Sequence, residues 1–399
     1  MPPSAFRYVG YAQEVIFSAG ALAQLGPAVE RFGWRRIMLC TTGSARRAGR
    51  VTAIAEGLGE RLVATYDHVQ PHVPDYQVAE ALALAGQTEI DAVIGLGGGS
   101  SIGLAKAVSL ALEERRGGRP ARAAFPTDQP MVPVIAIPST YAGSEMTAVY
   151  GVTQQPAGGQ PLKVTVTDPK VAPKLVIYDP TLTLDLPPEL TASSGINALA
   201  HCIEALYSIT RHPLSTAAAL SGLSHIISAL PRCHARPDDL EARTEMLVGA
   251  HLAGASLASA AMGLHHGLCH VLGGTAGVPH GVANSIILPH AMRFNADAAV
   301  PPPPEPAWGL QAAAAMGLEP TSRGQGAQDA GEAAAEAAAA KVSQLVGQLH
   351  LPRRLRDAAV KEADLPRLAQ LAYQSRTVQN NPKPILGPAP LEALLRAAW

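Results

Sequence analysis

The chain has 399 residues, of which 47% are apolar and 16% charged, a balance that excludes disorder throughout and at this length points to two domains. Its 31 basic and 32 acidic residues leave a formal net charge of −1, which excludes the broad positive field of a protein that holds nucleic acid by its backbone. No apolar run reaches the roughly 18 residues that span a bilayer, and the opening MPPSAFRYVG has neither the charged nor the apolar region of a secretory leader. Cys40, Cys202, Cys233 and Cys269 stand at no disulfide-framework or CxxC spacing. A cytoplasmic protein with reduced thiols, and without nucleic-acid or membrane partners, is expected.

From Arg36 to about Ile137 short apolar runs alternate with Ala-rich helical stretches: RIMLC, the segment from Val51 to Leu62, RLVATYD, VAEALALAG, DAVIGLG, SIGLAKAVSLAL and PVIAIP. That rhythm predicts parallel strands joined by helical crossovers. After Asp179-Pro180, windows such as TASSGINALAHCIEALYS and TEMLVGAHLAGASLASAAMGLHHGLCHVLGG carry helical periodicity with almost no strand signal. The prolines of DPTLTLDLPPEL interrupt any continuous helix and put the boundary near 180–190. The expected architecture is therefore a Rossmann-like parallel-sheet α/β domain over 1–185 and an all-helical domain over 186–399. PPPPEP at 301–306 reads as a stiff extended connector, and the Ala/Glu-rich stretch from Gly331 to Val342 as a surface helix.

DAVIGLG runs into Gly97-Gly98-Gly99-Ser100-Ser101 and then into a helical run. Glycines between a strand and a helix let the backbone approach a pyrophosphate closely and aim the free N–H groups of the helix start at it. A ligand-free turn is the competing reading, since GGGS matches neither GxGxxG nor the P-loop. A second polar loop follows PVIAIP and contains Ser139, Thr140, Tyr141 and Ser144. Two such loops at strand C-termini support a nucleotide site better than either alone.

In the helical half, Asn197 and His201 are four residues apart and share a helix face, with Glu204 three further on. His266 and His270 repeat that spacing; Gly273-Gly274 is expected to close their helix, and VPHG brings His280 back. Imidazoles so spaced can converge on a metal or a substrate. A lone histidine on an apolar helix is usually a core residue, but four with an asparagine in two Gly-flanked segments are not lone. His265 faces another way on its helix and has a supporting role.

These motifs in this order resemble the iron-containing (group III) alcohol dehydrogenase family, on GLGGGSSIGLAKA, IPSTYAGSEMT, KLVIYDPTLTLDLP, SGINALAHCIEAL and GLHHGLCHVLGGTAGVPHGVANSIILPH. The resemblance implies a dinucleotide-binding α/β domain, a helical domain and an active site in the cleft between them. It assigns the nucleotide to Thr42, Gly97, Gly98, Gly99, Ser100, Ser139, Thr140 and Ser144. The family's metal positions fall on Asn197, His201, His266 and His280, with Asn197 where the family has an aspartate, and Gly103 stands where its glycine loop has another. A neutral amide is a weak, uncharged oxygen ligand.

Both departures, and the late Asn381-Pro382-Lys383-Pro384, resemble the maleylacetate reductase branch. The resemblance implies reduction of the carbon–carbon double bond of maleylacetate to 3-oxoadipate, in the degradation of chlorinated or hydroxylated aromatics, by NADH or NADPH in a homodimer, with no iron or zinc required. Hydride added to an enone carbon leaves its charge on a ketone already placed to accept it, whereas an alcohol–aldehyde exchange leans harder on a Lewis acid. His201, His266 and His280 are then expected to stabilise an enolate, His270 or a neighbour to give the proton, and Lys163, the protonated histidines, Tyr141 or Arg243 to meet the carboxylates of a small dicarboxylate substrate. Thr41-Thr42-Gly43-Ser44 followed by Arg46, Arg47 and Arg50 puts no carboxylate at the strand end where a ribose hydroxyl would be read, so NADPH is not excluded. The alternatives are a metal-dependent alcohol dehydrogenase in which Asn197 still ligates, a lyase resembling the dehydroquinate synthases, and a nucleotide-binding protein without catalysis.

Overall fold

The structure, a computed structural model, describes the chain apart from residues 1–5, 7, 87, 118–128, 155–161, 299, 302–304 and 320–325. It divides into two compact units, Val9–Leu186 and Pro187–Trp399, the second of which also takes in the start of the chain. There the Phe6 ring stacks on His212 with centroids 5.2 Å apart, and Tyr8 meets the same ring edge-on. His212 in turn caps a long helix through Ser215. The opening residues, counted with the α/β domain on sequence grounds, thus go with the helices.

The α/β unit runs β1 (Glu14–Phe17), α1 (Leu25–Phe32), β2 (Ile37–Cys40), α2 (Gly43–Arg47), α3 (Arg50–Leu58), β3 (Leu62–Tyr66), α4 (Asp75–Ala85), β4 (Ala92–Gly97), α5 (Gly99–Arg115), β5 (Val134–Pro138), β6 (Val149–Gln154), β7 (Leu162–Thr167) and β8 (Leu175–Tyr178). Six strands form a sheet of order β1-β8-β5-β4-β2-β3, and β6 pairs with β7 in a separate antiparallel ribbon. Every pair in the large sheet is parallel, so both faces must be covered. Alternation along β2 does this: Ile37 and Leu39 pack with Val29 and Ile54 of α1 and α3, while Met38 and Cys40 pack with Ala81 of α4 and Leu104 and Val108 of α5. The strands at 37–40, 62–66, 92–97 and 134–138 are the expected ones. β1, β8 and the β6–β7 ribbon were not read from the pattern.

From β2 the chain steps outward to β3, then returns past β2 to β4 and continues to β5. That reversal opens a crevice at the carboxyl ends of β2 and β4, the place where open parallel sheets take their ligands.

The helical unit comprises α6 (Pro188–Tyr207), α7 (Pro213–Ala235), α8 (Leu240–Ser259), α9 (Leu264–Ala276), α10 (His280–Phe294), α11 (Trp308–Ala315), α12 (Ala327–Gln348), α13 (Leu365–Tyr373), α14 (Arg376–Gln379) and α15 (Ala389–Ala397), and no strand falls among its described residues. Leu264, Leu268 and Leu272 of α9, Ala283, Ile287 and Ala291 of α10, and Leu368 and Leu395 build one core. By length and composition α7 would suit a bilayer, with a mean hydropathy of 1.2 over 18 residues; here it packs against α6 and α8.

Two expectations need correcting. Gly273-Gly274 do not close α9, which runs on to Ala276 and ends at Gly277 with φ +68°, where a left-handed residue stops the helix. The Ala/Glu-rich stretch is not merely a surface helix: Ala335, Ala338, Ala339 and Val342 of α12 are fully buried. Small side chains let two backbones meet, and a Cβ on Gly309 of α11 would lie 2.4 Å from the Gly331 carbonyl oxygen of α12. The core of PPPPEP lies outside the described residues.

Asn381 and Asn295, both buried, exchange amide hydrogen bonds of 2.9 and 2.8 Å, and this clasps the Asn-Pro-Lys-Pro segment to the end of α10. Asn381→Asp would set a carboxylate oxygen against the Asn295 carbonyl. It is expected to cost about 1–3 kcal/mol, read as a lower thermal midpoint in calorimetry, and an unchanged midpoint would show that the clasp is dispensable.

Candidate functional site

In the α/β unit the glycine loop is shaped by contact as well as by dihedrals. Gly97 has φ +136°, and a Cβ there would lie 2.7 Å from Ser101 Oγ. A Cβ on Gly98 would lie 3.3 Å from the Thr140 side chain, and the Ser139 N–H donates to the Gly97 carbonyl at 3.0 Å. The two predicted loops are therefore neighbours, as the pairing of Gly97 with Pro138 requires. Gly98 caps α5 without a side-chain hydrogen bond, so the first N–H groups of α5 lack helical partners. Ser100 Oγ accepts from His72 N–H at 3.2 Å. Across the crevice, Thr41 Oγ1 donates to Leu96 O at 2.9 Å, and Thr42 Oγ1 accepts from Ala45 N–H as the cap of α2.

Of the three arginines after β2, Arg46 is paired with Asp67 and Arg50 with Asp185 and the Leu182 carbonyl. Asp67 follows β3, so a carboxylate does stand near this edge, one strand further out than the position read from the sequence, and already neutralised.

Tyr141 is 0% exposed, which takes it off the accessible surface where a substrate hydroxyl contact was expected. Lys163 pairs with Thr153 in the β6–β7 ribbon, and its side chain lies outside the described residues. Arg243 is fully buried, donating to Thr191 Oγ1 at 2.9 Å and to Pro237 O at 3.0 Å. It ties α8 to α6.

In the helical unit the predicted histidines come together. The His201 and His266 rings stack with centroids 4.7 Å apart; His266 lies 6.3 Å from His270 and 6.1 Å from His280, and His270 stacks on His280 at 5.8 Å. His201 and His266 are buried, and His270 is exposed. Asn197, one turn before His201, is 7% exposed. His201 Nδ1 is buried with no hydrogen-bond partner. Burial, and then the neighbouring His266, hold the His201 pKa well below the usual imidazole value, so it is neutral.

Glu204 organises this cluster, and the sequence reading had given it no role. Its Oε1 accepts from the N–H groups of Gly263 (3.0 Å) and His265 (3.1 Å), and its Oε2 from His266 N–H (3.2 Å) and His266 Nδ1. Burial alone would raise the Glu204 carboxyl, but His266 and His265 hold it well below the usual carboxylate range. It caps α9 from another helix and turns His266 so that Nε2 faces away from it. An acid on the inward face of an apolar helix, three residues after His201, was the available signal.

Do these residues fit the metal that the family's description implies? Among the described residues, the group whose ligand atoms all lie within 4.8 Å of one another is Glu204, His265 and His266. Its one carboxylate already spends both oxygens on N–H groups. The set Asn197, His201, His266 and His280 offers three imidazoles and an amide with no negative charge, and its His ring nitrogens are not gathered that closely. Imidazoles suit iron and zinc, but the amide adds no negative charge, so this is a weaker donor set than one that holds a free carboxylate.

Both halves of the chain match one family. The pattern described as "Iron-containing alcohol dehydrogenase" covers residues 12–180, and that described as "Fe-containing alcohol dehydrogenase family, C-terminal" covers 191–399. A maleylacetate reductase of Pseudomonas knackmussii is 37% identical over 385 residues, 96% of this chain and 95% of that one. Maleylacetate reductase 1 of Cupriavidus pinatubonensis is 36% identical, again over 96% of this chain and 94% of its own. Among solved structures, the maleylacetate reductase of Agrobacterium tumefaciens superposes with a TM-score of 0.81 at 31% identity, covering 99% of this chain and 98% of that one. The chain therefore belongs to the iron-containing alcohol dehydrogenase family, in its maleylacetate reductase branch.

Proposed function

We propose that this protein is a maleylacetate reductase, an oxidoreductase that reduces the carbon–carbon double bond of maleylacetate to 3-oxoadipate with NADH or NADPH. The observation that carries the reading is the donor set around His266: imidazoles and the uncharged Asn197 amide, with the nearby carboxylate already engaged. It suits an enone, whose ketone accepts the charge, better than an alkoxide that needs a Lewis acid. Full-length similarity to maleylacetate reductases supports the same substrate.

In this reading the α/β unit holds the dinucleotide. The bare Gly97–Gly99 backbone and the first N–H groups of α5 receive the pyrophosphate, with Ser100, Ser139, Thr140 and Ser144 beside it and Thr42 at the ribose edge. A bound NADH or NADPH supplies hydride to the substrate carbon β to the ketone. His201, His266 and His280 surround the ketone oxygen and stabilise it as it gains enolate charge. Exposed His270, stacked on His280, gives the proton to the neighbouring carbon. The helical unit is thus the catalytic one, and the protein a cytoplasmic homodimer acting on a small dicarboxylate without a required metal. Its four buried, unbridged cysteines suit a reducing compartment.

Incubation with freshly prepared maleylacetate and NADH or NADPH, with and without a strong chelator, tests this directly. Rapid loss of nicotinamide absorbance that the chelator leaves unchanged is expected. Chelator-sensitive oxidation of a simple alcohol, with maleylacetate inert, would replace the reading by a metal-dependent alcohol dehydrogenase. His270→Ala is expected to lower kcat about 10²-fold, and since the residue is exposed the thermal midpoint should hold. An unchanged kcat would remove His270 from the proton step.

A further inference from the structure

Helix α5 is buried almost all round, with Ile102, Leu104, Ala105 and Val108 in the core, yet Lys106 sits in its middle at 0% exposure. A buried ammonium is costly unless its protons are all received. Every hydrogen bond described for Lys106 Nζ goes to one short stretch of chain: Ser144 O at 2.6 Å, Thr147 O at 2.8 Å, Val149 O at 3.0 Å and Thr147 Oγ1 at 3.2 Å. Thr147 Oγ1 also donates back to Ser144 O at 3.0 Å, so the stretch is curled round the ammonium. Burial lowers the Lys106 pKa to about 7, and Glu145 counters this; three carbonyl acceptors favour the charged form further.

The strapped stretch is the end of the second loop. Its beginning, Ser139 and Thr140, lies against Gly97 and Gly98, and Lys106 is two turns, roughly 10 Å, along the helix that starts at Gly99. Glu145, inside the strap, is fully buried and accepts from Tyr178 OH at 2.9 Å, which ties the same stretch to β8. The loop is thus held at one end by β5 and at the other by a cation of the helix that follows the glycine loop.

We propose that Lys106 is a positioning residue for the nicotinamide dinucleotide: its ammonium draws Ser144–Val149 onto α5 and so holds the Ser139–Ser144 loop in register with the Gly97–Gly99 backbone. The proposal rests on reading the α/β unit as the dinucleotide holder. Lys106 has no accessible surface and touches no reactant; it acts through the loop. Its loss should weaken dinucleotide binding in the ground state and the transition state alike, which raises KM and leaves kcat.

The test measures NADH and NADPH affinity by calorimetry on the full chain without substrate, and separately KM and kcat for turnover. Lys106→Met is expected to raise the Kd and KM for the dinucleotide about 10-fold or more while kcat at saturation stays within about 3-fold. Thr147→Val, which removes only the hydroxyl acceptor, should give a smaller rise in Kd and carries the test if Lys106→Met does not fold. Ser109→Ala is the control for a merely structural loss: its hydroxyl donates to Val132 O at 2.6 Å from the same helix, so it should lower the thermal midpoint without moving Kd. Unchanged Kd in Thr147→Val and in folded Lys106→Met, or an equal rise in Ser109→Ala, would overturn the proposal. Failure of the native chain to bind either dinucleotide would overturn it together with the reading of the α/β unit, whereas dinucleotide binding without maleylacetate turnover would overturn only the substrate assignment.

Discussion

One buried carboxylate governs the helical unit's chemistry. Glu204 arises on α6 but takes the N–H groups that open α9, so the start of one helix is completed by the side of another. Because the same carboxylate also takes His266 Nδ1, the orientation of that imidazole follows from the cap. The stacked rings of His201 and His266, and the outer pair His270 and His280, are arranged about a residue that is itself fixed by backbone. A cluster of histidines becomes a site when one of them cannot rotate.

The α/β unit solves the opposite problem by the same device. Among its buried charged residues is a cation, Lys106, whose hydrogen bonds go to backbone carbonyls and a hydroxyl rather than to a carboxylate. Buried ion pairs seldom repay the desolvation of two charges; receiving a charge on peptide groups fixes a loop in return. Glu204 on N–H groups and Lys106 on carbonyls are complementary uses of the only polar groups that every residue brings.

The two departures from the family pattern differ in physical consequence. Gly103 stands on α5 where the resemblance places an aspartate; a Cβ there would meet Val73 at an ordinary 3.5 Å, so nothing in the packing compels glycine. Asn197 stands beside His201 where the resemblance places an aspartate, and brings no negative charge to a set of imidazoles. Both alter what the loops and helices can hold.

Much of this was legible in the residue order. Strand-helix alternation between Arg36 and Ile137, the glycine loop and the four histidines are local patterns, set by periods of two and of nearly four residues and by the freedom of glycine, and these motifs in sequence marked the family. What the order of residues could not say was which groups end up dry and against what. That Tyr141 and Arg243 are interior, that Arg46 is taken by Asp67, that α12 buries its alanines, and that Glu204 and Lys106 find their partners in distant backbone all depend on contacts between residues far apart in the chain, for which no local pattern exists. Periodicity determines which face of an element is apolar; only packing decides what a charge on that face will meet.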